Sequence, residues 1–145
     1  MHFNIIKFGG GCIRTAEDLL TLLKTYKQLH KLYGGNTIIV VSAFYGMTNT
    51  LVKIVEGASF DSFIKDFLEF HKGVVKGLKI YDQDMREFFA EKEDRAKFLL
   101  NQLRQNGDAD KKIYAEIVAM GEDFSQAIVF RFLKISLQKG KGSHR

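Results

Sequence analysis

The sequence predicts an α/β fold with a βαβ start followed by mostly helices. Two short apolar segments rich in β-branched residues, Phe3–Phe8 and Thr37–Ser42, bracket a stretch of helical periodicity. A glycine run, Gly9-Gly10-Gly11, divides the first strand from that helix. Beyond Ser42, apolar residues recur at helical spacing almost to the end of the chain, and no proline interrupts them.

Phe3–Phe8 has Ile5 and Ile6 at its centre and stops at the glycines. Thr15 suits a helix N-cap, with Glu17 and Asp18 in the first turn, where carboxylates meet the positive helix end. Leu19, Leu20, Leu22, Leu23, Tyr26, Leu29 and Leu32 continue the helix until Gly34-Gly35-Asn36. Thr37–Ser42 is an unbroken β-branched run, which predicts a parallel strand buried on both faces. Further helices are predicted over Thr48–Glu56, around Phe60–His71 with Ser59 or Asp61 as cap, and over Asp84–Gln105, where Asn106-Gly107-Asp108 is the break. A last helical pair, Ile113–Met120 and Glu122–Leu137, is expected to join at Gly121. Residues 138–145 are polar and basic and are expected to fray. Two parallel strands cannot bury both sheet faces alone, so either a second copy of the chain or the rest of a larger α/β domain should complete the sheet.

Composition narrows the function classes. Twenty-two Lys and Arg against 17 Asp and Glu give a charge of +5. That suits anionic ligands, but part of the excess sits in the tail at Lys139, Lys141 and Arg145, the rest alternates with acids along helices, and no basic stripe carries interleaved aromatics, so no nucleic-acid partner is expected. Cys12 is the single cysteine, which excludes an internal disulfide, and no secretory leader or membrane-spanning run is evident. A cytoplasmic protein without a membrane partner is expected. His2, His30, His71 and His144 lack metal-ligand spacing.

Three short constellations could carry chemistry. Lys7-Phe8-Gly9-Gly10-Gly11 puts a cation and unhindered backbone N–H groups between a strand and a helix N-terminus, an arrangement that suits a phosphate. A tight turn is the plainer explanation of this segment alone. Ser42-Ala43-Phe44-Tyr45-Gly46-Met47-Thr48-Asn49 follows the second strand at the carboxyl end, where open α/β sheets bind ligands. Helix capping by Thr48 explains it equally. Gly121-Glu122-Asp123 offers a carboxylate for an ammonium group, or simply an acid at a helix start. Asp82 and Asp84 could imitate a catalytic pair, though a solvated helix start fits them better.

Taken together, Lys-Phe-Gly-Gly, then Val-Val-Ser-Ala-x-x-Gly-x-Thr-Asn, then Met-Gly-Glu-x-x-Ser, in this order and spacing, resemble the aspartokinases of the amino-acid kinase superfamily. The resemblance runs from about Ile5 to Leu137. It implies part of a three-layer αβα amino-acid kinase fold. Residues 1–137 would be the N-terminal, amino-acid-binding part of the catalytic domain, and residues 138–145 a disordered basic tail. The implied reaction is phosphoryl transfer from Mg-ATP to the side-chain carboxylate of L-aspartate, the first step of lysine, threonine and methionine biosynthesis. Lys7, Phe8, Gly9, Gly10 and Gly11 would hold the ATP phosphates, with Lys7 also catalytic. Ser42, Thr48 and Glu122 would bind aspartate. ATP and Mg2+ are the implied cofactors.

Two departures from the family pattern are visible. Gly11 and Cys12 stand where aspartokinases usually carry Thr or Ala and then Ser; the extra glycine loosens the loop and the thiol is a weaker hydrogen-bonding group. The family also continues into a Gly-Arg-Gly-Gly-Ser-Asp-type motif that this sequence does not contain, so the expectation is a truncated kinase, inactive alone. The alternative is a non-catalytic amino-acid- or anion-binding or subunit-pairing module on the same fold.

Overall fold

The chain runs β1 (Phe3–Phe8), a 3-10 turn (Gly10–Cys12), α1 (Ala16–Tyr33), β2 (Asn36–Val41), α2 (Met47–Val55), α3 (Phe60–Gly77), α4 (Gln83–Asn106) and α5 (Lys111–Lys141). These elements come from a computed structural model that describes residues 3–57, 60–106 and 110–141. The arrangement is α/β and mostly helical, with a two-stranded parallel sheet at its start. No helix among the described residues is long and apolar enough to cross a membrane.

β1 and β2 pair in register from Phe3 against Asn36 to Phe8 against Val41, with α1 as the crossover. Burial alternates along both strands. Phe8 and Val41 pack against the core. The other row, Phe3, Ile5, Ile38 and Val40, remains 54, 71, 48 and 42% exposed, and Lys7 is exposed near it. The expectation that Thr37–Ser42 is buried on both faces is therefore corrected. Its apolar run suits double burial, but among the described residues the helices cover one side only. Fully burying such a side chain contributes about 1.5–3 kcal/mol, so the open row leaves a substantial stabilising term unused.

Local chemistry explains the helix ends. The Asp18 carboxylate accepts the backbone N–H of Thr15 at 3.0 Å and of Arg14 at 2.8 Å, which closes the start of α1. Gly34, at φ 60°, ends it and donates its N–H to the His30 carbonyl at 2.9 Å. α3 ends in a Schellman motif: the N–H groups of Ile80 and Lys79 reach the carbonyls of Val75 and Lys76. Lys79 holds the left-handed position at φ 57°, where glycine is usual. Ser59 and the side chain of Asp61, the expected caps of α3, lie outside the described residues, as do Gly107 and Asp108 of the expected break after α4.

The last helical pair is also corrected. α5 is one continuous helix of 31 residues, and Gly121 lies in its interior. Glycine keeps the backbone hydrogen bonds of a helix at a cost of about 1 kcal/mol relative to alanine. Here tertiary packing uses its missing side chain, because Ala43 stands close against it. α5 also continues to Lys141, so residues 138–141 of the expected basic tail are helical. Residues 142–145 lie outside the described ones.

The core is rich in aromatic rings. Phe67, Phe88, Phe89 and Phe124 meet edge-on, and Phe124 touches the other three with centroids 5.0–5.1 Å away. α5 lines this core with Ile113, Ile117, Met120, Phe124, Ile128 and Phe132, spaced by about one turn.

Asp82 and Asp84 are structural. Asp82 accepts the N–H of Met85 at 3.1 Å and so caps α4. Arg131 of α5 pairs with Asp82 and lies 2.9 Å from Asp84. Burial pushes the Asp82 carboxyl up, but the Arg131 hydrogen bond, the Met85 N–H and the Arg131 charge outweigh it and hold the group below its ordinary value.

Candidate functional site

Both parallel strands deliver their carboxyl ends to the same edge of the sheet. The loop after β1 and the loop after β2 are stitched by backbone bonds: Ser42 N–H donates to the Phe8 carbonyl at 3.1 Å, and Tyr45 N–H to the Ile13 carbonyl at 2.9 Å. Ile13 is wholly buried, and the Arg14 guanidinium stacks 4.2 Å over the Tyr45 ring. These contacts join the two loops into one rim.

Within the first loop only one glycine is demanded by packing. A Cβ on Gly10 would lie 3.3 Å from the Ala43 carbonyl oxygen and 3.9 Å from the Ser42 Cβ. Gly9 and Gly11 have open space where a side chain would stand. The Gly9 carbonyl accepts the Cys12 N–H at 2.9 Å, which tightens the loop into its 3-10 turn. Cys12 is exposed.

The second loop leads into α2. Its N-cap is Gly46, at φ 82°, and not Thr48. That φ suits glycine, but glycine supplies no capping oxygen, and no side chain caps this helix start. The alternative reading of Thr48 as the cap is thus excluded. Thr48 sits at the second helical position, half-buried.

The third segment arrives from α5. A Cβ on Gly121 would lie 2.9 Å from the Ala43 Cβ, 3.5 Å from Leu51 Cδ1 and 3.9 Å from Thr48 Oγ1. Ala43 thus meets Gly10 through its carbonyl and Gly121 through its side chain, and is 4% exposed. Next to Gly121, Glu122 is exposed, and its carbonyl accepts the buried Ser125 hydroxyl at 3.0 Å. Glu122 stands in mid-helix, so the helix-start reading of this acid is overturned along with the break at Gly121.

The structure thus gathers Gly10, Ser42, Thr48 and Gly121 around Ala43. Lys7 and Glu122 stand exposed on adjoining segments. Lys7 is paired in register with Val40, one residue before the strand ends, beside the converged loops. Ala43 itself and the buried Ile13 were not singled out in the sequence. The small residue between Ser42 and Phe44 was the available signal for the first. Among the described residues no cluster of three or more His, Cys, Asp or Glu could hold a metal ion. A separate groove of about 350 Å³, lined by Phe3, Asn4, Leu29, Tyr33 and Thr37, lies toward the amino-terminal end of the strands. No protein-family model matches this sequence, and no curated protein matches it.

Proposed function

We propose that the converged loops form an amino-acid site of the aspartokinase kind, working in phosphoryl transfer from Mg-ATP to the side-chain carboxylate of L-aspartate, on part of an amino-acid kinase fold. The observation that carries this reading is the convergence on Ala43. Segments far apart in sequence, each carrying one of the family-like motifs, meet at the carboxyl ends of parallel strands, where ligands bind in open α/β sheets.

The residues present fit a nucleotide phosphate. Open space beside Gly9 and Gly11 leaves room for an anion against the backbone, and Lys7 is an exposed cation near the strand end. In this reading Lys7 holds charge on the transferring group. Ser42 and Thr48 bind carboxylate oxygens through their hydroxyls, and Glu122 takes the amino group. Bound Mg2+ would supply charge neutralisation on the phosphates. The chain's own part is positioning, and the joined rim around Ala43 suits that.

The test is titration with Mg-ATP; hydroxylamine added together with L-aspartate should trap no aspartyl phosphate, because the chain is read as inactive alone. Saturable Mg-ATP binding, weakened about 10–100-fold in Lys7→Ala as for loss of a charged hydrogen bond, supports the reading. Binding indifferent to Lys7 overturns this assignment.

One observation favours a second reading. The open apolar row of the sheet suits a non-catalytic binding or subunit-pairing module. Amino-acid binding without any Mg-ATP binding, together with a dimeric mass, would select it.

A further inference from the structure

His71 lies in the interior of α3 and is wholly buried. Rings surround it: Phe67 at 4.3 Å between centroids, Phe124 at 4.8 Å, Phe70 at 5.1 Å and Phe44 at 5.4 Å. Its Nδ1 lies 2.7 Å from the Phe67 carbonyl, so Nδ1 carries the proton and donates it there. Its Nε2 is buried without a partner among the described residues. A neutral imidazole tolerates this with one unused lone pair. A protonated one would need a second acceptor at Nε2 and would place a cation in an apolar cage. The ring faces recover part of that loss but accept no conventional hydrogen bond.

One wall of the cage belongs to the site. Phe44, 1% exposed, follows Ala43 in the loop that meets Gly10 and Gly121, and its carbonyl accepts the Met47 N–H at the start of α2 at 3.0 Å. We propose that His71 is an acid-sensitive latch: protonation expels its imidazole from the aromatic cage, frees Phe44 and releases the Ser42–Gly46 loop. The latch does not depend on which ligand that loop binds.

The charges on the elements packed around the cage are engaged elsewhere or exposed. α3 presents Glu69 and Lys72, paired with each other at 3.3 Å. α5 presents the exposed Glu122, and Asp123 paired with Lys92 of α4. The loop presents Tyr45 beneath Arg14. Burial lowers the His71 pKa from 6.5 to about 4, against a smaller upward pull from the Phe67 carbonyl. The neutral ring therefore contributes its full stabilisation above pH 6.5, and this is lost as pH falls toward about 4. The opening equilibrium constant should rise about 100-fold between pH 7 and 4.

The experiment places a fluorescent reporter on the exposed loop position through Tyr45→Trp. Its emission is followed from pH 7 to 4 beside far-ultraviolet circular dichroism and the His71 imidazole NMR signals. The expected result is a change in the indole emission within the window while helix content is retained, and no such change when His71→Leu is added. The latch is overturned if the reporter changes only together with global loss of helix, or if its change persists without His71. It is overturned equally if the imidazole titrates near 6.5 with the loop unmoved. Should the His71→Leu chain fail to fold, the NMR titration in the chain that retains His71 decides the question alone.

Discussion

Gly121 meets Ala43 so closely that a Cβ at position 121 would stand 2.9 Å from that of Ala43. A helix interior would ordinarily gain about 1 kcal/mol from Gly→Ala. Here the new methyl strikes a residue whose backbone is already held against Gly10, and overpacking of this kind costs about 1–3 kcal/mol. Gly121→Ala should therefore bring no stabilisation and be net destabilising by up to about 2 kcal/mol in urea unfolding. Gly121→Val should cost more. A stabilised Gly121→Ala chain would show that α5 can withdraw from the loop freely.

Lys79 makes the opposite case. It occupies the left-handed position of a Schellman motif at φ 57°, where its Cβ is unfavourable. The left-handed conformation costs an L-residue about 1–2 kcal/mol, partly offset by the greater unfolded entropy of glycine. Lys79→Gly should raise stability by about 0.5–1 kcal/mol, measured by thermal unfolding.

Asp82 caps α4 and pairs with Arg131. Asp82→Asn keeps an oxygen for the cap and gives up the ion pair, which at these partly exposed positions is worth about 0.2–1 kcal/mol. Asp82→Ala gives up both and should cost about 1 kcal/mol more. Urea unfolding of the two variants beside Arg131→Met separates the contributions. Equal losses in Asn and Ala would assign the whole effect to the ion pair.

The open sheet row predicts tolerance. Ile5 is 71% and Ile38 48% exposed, so Ile5→Thr and Ile38→Thr should each change stability by no more than about 0.5 kcal/mol at low protein concentration. A loss of about 2 kcal/mol that grows with concentration would mean that a second copy covers this row.

Much of the fold was legible in the sequence because its signals are local. The glycine and β-branched boundaries of β1 and β2, and the Thr15 and Asp18 start of α1, are properties of neighbouring residues. What sequence reading missed is non-local. Gly121 looks like a helix break, because a glycine's reason for being in a helix lies in Ala43, far away along the chain. Asp82 looks solvated until Arg131, 49 residues on, is brought to it. The alternation in β2 is invisible in a run of Ile and Val, since both faces are apolar and only the missing cover distinguishes them. For the candidate site, the loops could be named from the sequence. Their meeting at Ala43 could not.

The central claim is that the loops around Ala43 bind the carboxylates of L-aspartate while Glu122 takes its amino group. Calorimetric titration of the whole chain with L-aspartate tests it most directly. The expected result is saturable binding, weakened about 10–100-fold in Glu122→Gln and clearly reduced in Ser42→Ala, with the fold unchanged by circular dichroism. Absence of binding by the folded chain, or binding untouched by both substitutions, would contradict it.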